Sequence, residues 1–181
     1  HDTTAVSLSW ALMELSKNPE EQSRLRASIS NLRSEEWSKS DVLKNVVKEA
    51  LRLHPVAATA INRTIGRDMV TKNGNYFLPK GTLVFLPFYP MFRNGDVYKD
   101  PDTFRPSRWE NPTREMQESY VPFALGKQSC VGRALANAEL HCILARAIQK
   151  YEFSIDEEGD AEFHLVLKPV GLRLKARKVA D

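Results

Sequence analysis

In the stretch VPFALGKQSCVGRALANAEL, from Val121 to Leu140, one of the chain's two cysteines follows a glycine-containing loop and stands at the entry to a long Ala/Leu-rich helix. Backbone N–H groups at a helix N-terminus lack intrahelical partners and favour an anion, so a thiolate there is a nucleophile or a metal ligand. Gly126 and Gly132 flank Cys130 and would let the backbone approach a flat, bulky group, with Phe123 as an aromatic wall. On spacing alone, a small packing residue beside a turn is the better reading of Cys130. His1, His54, His141 and His164 make no HxxH or HxxxH pairing with either cysteine, which argues against zinc. No local signature singles out a histidine as the base of a thiol protease. Cys142 falls inside the apolar helix and reads as packing.

Two further pairs have spacings that could matter. Glu49 and Arg52 are three apart and share a helix face, where such pairs are mostly solvated and worth roughly 0.2–0.5 kcal/mol. Asp2 and Thr3 place a carboxylate beside a hydroxyl, a combination that can relay protons through water, although Asp-Thr-Thr is also a common helix start.

The elements that must hold these residues are mixed, with helix dominant. Apolar positions at Val6, Trp10 and Met13 carry a first helix to about Ser16, and Asn18-Pro19-Glu20-Glu21 offers an N-cap, a first-turn proline and two acids for a second. A third helix is expected over 38–53, with Val42, Leu43, Val46, Val47, Ala50 and Leu51 on one arc and His54-Pro55 ending it. Glu49 and Arg52 lie off that arc. From Val56 to Pro87 the pattern becomes strand-like, with GNYFLPKGTLVFLPF the clearest hairpin. The segment from Arg93 to Pro122 is too long for an ordinary connection and implies a packed, functional loop. The strongest helix is expected over 131–151, and FHLVLKPVGLRLKAR reads as a closing hairpin.

Composition narrows the class. With 42% hydrophobic and 27% charged residues the chain is globular, and a formal charge of +3 spread among acids gives no reason to expect a nucleic-acid partner. The longest apolar run, Thr82 to Phe92, is far short of the roughly 20 residues of a spanning helix. Two cysteines without a CxxC pair fit a reducing compartment.

In order along the chain, several segments resemble the motifs of the cytochromes P-450, the haem-thiolate monooxygenases. FALGKQSCVGRALANAE is similar to the family's haem loop, F-x-x-G-x-(Arg or His)-x-C-x-G followed by Ala and Glu, matched by Phe123, Gly126, Cys130, Gly132, Ala136 and Glu139. EALRLHP resembles the E-x-x-R helix, FRPSRW the F-x-P-x-R-(aromatic) loop, HDTT the second half of the oxygen-activation motif, and LVLKPVGLRLKAR the last hairpin.

The resemblance implies an α+β, mostly α fold, the C-terminal part of the cytochrome P-450 fold, in which residues 1–181 are the C-terminal portion of a single domain whose N-terminal portion lies outside this chain. It implies Cys130 as axial ligand to the iron of haem b (iron protoporphyrin IX), with Phe123, Gly126 and Gly132 shaping the loop. It also implies Asp2 and Thr3 as a proton-delivering pair, and a buried Glu49–Arg52–Arg108 cluster that holds the haem loop. Where the family usually has Arg or His, this chain has Gln128, so Lys127 and Arg63 become the candidates for the propionates. Substrate contacts are expected from Ala57 to Ile61 and around Leu165 and Val166, whose apolar character suggests a small lipophilic substrate. Electrons would come from an NADPH-dependent reductase or a ferredoxin, and the full-length protein is expected at the endoplasmic-reticulum membrane. A haem-thiolate isomerase or peroxygenase, which the Asp2–Thr3 pair argues against, and a non-catalytic haem-binding module, which Gln128 favours, are the alternatives.

Overall fold

The computed structural model describes residues 2–58, 61–163 and 166–179. Its core is built from helices α1 (Asp2–Lys17), α2 (Pro19–Ile29), α3 (Asp41–Leu53) and α6 (Arg133–Lys150), whose inward faces bring Leu15, Leu25, Leu43, Val46, Leu144 and Ile148 together. Two short helices, α4 (Phe88–Met91) and α5 (Arg114–Ser119), interrupt the long irregular segment. The arrangement is mixed and mostly helical, as the motif pattern implies.

Cap chemistry explains the boundaries. Asn18 is the N-cap of α2, its carbonyl accepting from the Gln22 N–H at 3.1 Å, but its side chain serves the helix before it, Nδ2 donating to the Glu14 carbonyl at 2.8 Å. The third helix starts at Asp41, not at Ser38: a 3-10 segment over Ser34–Lys39 buries Trp37 first, and the Ser40 hydroxyl then accepts from the Leu43 N–H at 3.2 Å.

The strands pair differently from the sequence expectation. β1 (Ile61–Thr64) pairs antiparallel with β4 (Leu83–Leu86), and β2 (Met69–Val70) with β3 (Phe77–Leu78), so the second half of GNYFLPKGTLVFLPF does not fold onto its first half. Reciprocal bonds between Ile65 and the Gly81–Thr82 turn draw β4 back to β1. Likewise β5 (Tyr151–Glu157) pairs with β8 (Arg173–Lys178) and β6 (Asp160–Phe163) with β7 (Leu167–Val170), so the closing hairpin is divided between two sheets. Gly159 permits this: at φ +70° its Cα faces the 170–172 turn, and a Cβ there would come within 2.5 Å of the Leu172 nitrogen.

Cys142 is exposed, contrary to the packing expectation. The inward stripe of α6 runs through Leu140, Leu144, Ala145 and Ile148, and a residue two positions past Leu140 points about 200° away from it at 3.6 residues per turn.

At the exit of α3, the His54 imidazole is pushed below its ordinary value, chiefly by burial and against the Glu14 carboxylate that pairs with it, while Arg93 and Lys17 add repulsion. The unfolded chain therefore binds a proton that the folded one resists. Stability from this group is complete above about pH 6.5 and declines as pH falls below it. Urea titrations of the full-length protein between pH 7 and 5 are expected to show that decline, and His54→Gln to flatten it.

Candidate functional site

The first part of the site is electrostatic scaffolding. Glu49 and Arg52 are both 0% exposed, so the solvated-pair reading of their spacing does not hold. Arg52 forks onto the carboxylate, Nε to Oε2 and Nη2 to Oε1, both at 3.0 Å. Arg108 Nε donates to Oε1 at 2.8 Å, joined by the Arg105 backbone N–H at 3.0 Å, and Trp109 Nε1 donates to Oε2 at 2.8 Å. One carboxylate cannot neutralise two guanidinium groups, and backbone carbonyls complete the balance. Arg52 Nη1 donates to the Phe92 and Pro101 carbonyls, and Arg108 Nη1 and Nη2 to those of Lys99, Asp100 and Thr103. The irregular segment is thus shaped as a carbonyl cradle for two cations, and Asp100 accepts φ +49° within it. The FRPSRW motif includes Trp109 as its aromatic without indicating its bond to Glu49, and nothing in the spacing pointed to the Arg105 N–H; the burial that recruits them exists only in the folded chain.

The second part is the cysteine loop. The Cys130 N–H donates to the Phe123 carbonyl at 2.9 Å and the Ser129 N–H to the Gly126 carbonyl at 3.0 Å, which folds the loop on itself and brings Phe123 to the cysteine. Gly126 holds φ +73°, a conformation that favours glycine, with open space where a side chain would be. Gly132 has φ −82°, and a Cβ there would lie 3.8 Å from the Cys130 sulfur, an ordinary contact. Cys130 precedes the helix, which starts at Arg133, and it is exposed.

An open cleft of about 680 Å³ lies in front of this loop, and Cys130, Phe123 and Gly132 from the loop, Thr3 and Ser7 from α1, and Val56, Ala57 and Val166 line it. Gln128 lines it as well. Asp2, on the first turn of α1, and Gly126, Lys127 and Arg63 are not among its lining residues. Arg63 sits on β1 opposite Val84, with Nη1 on the Asn62 carbonyl at 3.0 Å. Of the expected substrate contacts, Thr59, Ala60 and Leu165 lie outside the described residues. Behind Phe123 and Ala124, a second cavity of about 350 Å³ is lined by Lys44, Lys48, Arg133 and His141. Burial, then the Lys44 ammonium, push the His141 imidazole below its ordinary value, so the positive charge of this face at neutral pH is that of the lysines and the arginine.

Among the described residues no group of three or more His, Cys, Asp or Glu could hold a metal ion, and no helix is long and apolar enough to cross a membrane. The structure superposes on the crystal structure of a cytochrome P450 (CYP102L1) with a TM-score of 0.85 and 26% identity, over 98% of this chain and 42% of that one. In sequence it is 37% identical over 164 residues to the mitochondrial sterol 26-hydroxylase of Rattus norvegicus, covering 83% of this chain and 30% of that protein. It is 40% identical over 162 residues to the mitochondrial 25-hydroxyvitamin D-1 alpha hydroxylase of the same species, covering 83% and 32%. It is 35% identical over 193 residues to the mitochondrial cholesterol side-chain cleavage enzyme of Oncorhynchus mykiss, covering 98% and 36%. The chain therefore spans about a third of the length of these relatives. The cytochrome P450 family matches residues 1–178, and with an exposed cysteine on a cleft and a buried Glu–Arg–Arg scaffold behind it, this chain belongs to the cytochrome P450 family.

Proposed function

We propose that this chain is the cysteine-bearing, C-terminal portion of a single-domain haem-thiolate monooxygenase that inserts one oxygen atom from dioxygen into a lipophilic substrate. The observation that carries the reading is the placement of Cys130 on a cleft that also holds Thr3 and the apolar residues Ala57 and Val166. The site suits a haem. A lone sulfur donor fits a metal whose other ligands come with a macrocycle, and the exposed side chain of Leu135 beside the cleft is apolar surface that a flat lipophilic group would cover. The chain has no C-x-x-C-H for covalent attachment, which favours haem b. Bound there, a haem would supply the redox chemistry, with the Cys130 thiolate as its protein ligand.

The chain's own residues have distinct tasks. Cys130 would hold the iron, and Phe123, joined to it by the backbone hydrogen bond, would together with the bound haem keep water from the sulfur that is exposed in this structure. Gly126 sets the loop turn, and Gly132 lines the cleft beside the cysteine as the residue before α6. The Thr3 hydroxyl passes protons into the cleft from the Asp2 carboxylate. Lys127, next to the cleft-lining Gln128, and Arg63 on β1 provide positive charge for the propionates. Glu49, Arg52 and Arg108 hold the segment that leads to the loop. An NADPH-dependent reductase or a ferredoxin delivers electrons, and the Lys44–Lys48–Arg133 face behind Phe123 suits an acidic docking surface on either. The names of the three relatives above favour a mitochondrial site over the endoplasmic reticulum.

The test is the full-length protein, reduced and exposed to carbon monoxide. The red-shifted Soret band of thiolate ligation is expected; a band of the histidine-ligated type would remove Cys130 as ligand and the proposal with it.

A further inference from the structure

Trp10, Glu14 and His54 have no role in the site above, yet they close a circuit around one wall of its cleft. His54 ends α3, its backbone N–H on the Ala50 carbonyl at 2.8 Å. The imidazole stacks on Trp10 with centroids 4.1 Å apart and planes 5° from parallel, and its Nε2–H donates to Glu14 Oε1 at 2.7 Å. The Trp10 indole N–H in turn donates to the Leu167 carbonyl at 3.0 Å. The Leu167 N–H donates to the Val56 carbonyl at 3.0 Å, and Val56 stands two residues after His54, so the circuit returns to its start.

Two features separate this circuit from ordinary core packing. The indole donor is spent on the backbone of a distant strand, and buried Leu167 commits both its N–H and its carbonyl to the circuit. The residues joined to it by peptide bonds, Ala57 after Val56 and Val166 before Leu167, face the cleft, as Val56 does itself. A shift of the indole therefore moves both sides of that wall together.

We infer that Trp10 is a positioning residue, held by the stacked His54–Glu14 pair, that sets the spacing between the Val56–Ala57 and Val166–Leu167 segments and so determines which bulky lipophilic ligands the cleft admits. The inference rests on the reading of the cleft as a ligand site given under Proposed function.

The test uses the full-length holoprotein with Trp10→Phe, which keeps a ring for stacking and loses the donor, and His54→Phe, which keeps the stack and loses the bond to Glu14. Amide hydrogen exchange is followed in peptides covering 56–57 and 166–167. In parallel, the dissociation constants of 1-phenylimidazole and of imidazole are read from the haem spectrum, the first ligand reaching the wall and the second only the iron. Both variants are expected to speed exchange in these two segments by about tenfold, with the Cys130 loop and α6 unchanged, and to alter the ratio of the two constants by a similar factor. Glu14→Gln retains an acceptor for the imidazole N–H and is expected to match the parent in both measurements.

Unchanged exchange and ratio in Trp10→Phe and His54→Phe would overturn the inference, as would faster exchange spread evenly over all helices. Loosening by Glu14→Gln equal to that of Trp10→Phe would also overturn it. A parent protein without a thiolate-type spectrum would defeat the monooxygenase reading instead, and the exchange measurement would still decide the circuit.

Discussion

Glu49→Gln in the full-length protein is expected to lower its unfolding free energy by roughly 3–5 kcal/mol, the loss typical when one partner of a buried charge cluster is removed. The two side chains have nearly the same shape, so packing is preserved and the effect is electrostatic. Whichever way the amide is turned, its NH₂ faces donors: Arg52 Nε and Trp109 Nε1 on one side, or Arg52 Nη2, Arg108 Nε and the Arg105 N–H on the other. Two buried guanidinium groups then rely on carbonyls alone. The carbonyls they hold, from Phe92 to Thr103, belong to the segment that precedes the cysteine loop, so haem retention should fall together with stability. Urea unfolding gives the free energy, and a loss below about 1 kcal/mol would show that the carbonyl cradle alone carries the cluster. Arg52→Lys should fall close to Glu49→Gln, because an ammonium cannot reproduce the fork onto both carboxylate oxygens.

Cys130→Ser is expected to have the opposite profile. The side chain is exposed in this structure, so a change of sulfur to oxygen should leave the stability of the haem-free protein within about 0.5 kcal/mol. The thiolate-type band of the reduced carbon monoxide adduct should vanish, and substrate oxidation should fall by more than about a hundredfold, since loss of groups that merely orient a ligand already costs 10–100-fold. Retention of that band in the serine variant would end the ligand assignment. Cys142→Ser is the matched control: it too is exposed, on the far side of α6, and should change neither measurement. Glu49→Gln and Cys130→Ser together would separate the residues that hold the segment before the loop from the residue proposed to meet the iron.

Several features could be read directly from the chain. The order of the Glu49–Arg52, Arg108 and Cys130 segments was legible because each motif is local. So were the main helices, since α3 needs only an apolar arc and a serine cap. The entry of α6 was off by two residues because the Cys130–Gly132 turn lacks a side-chain cap. Strand pairing was not legible. Neither hairpin expected from turn residues forms as a unit, because β4 and β8 gain more by pairing with earlier strands than with their neighbours.

Spacing marked Glu49 and Arg52 as companions and left them on a wet surface; only packing against the Phe92–Trp109 segment removed the water and recruited Trp109, Arg105 and five peptide carbonyls as partners. The sequence by itself determined the kinds of chemical group available and their order, since these depend on covalent neighbours and helical period. Tertiary structure alone decided that Cys130, Thr3, Ala57 and Val166 share one cleft, that Cys142 faces away from the core, and that His54 meets Trp10 and Glu14. Those contacts join residues far apart in the chain, and they depend on which surfaces exclude water together, a property that no local stretch encodes.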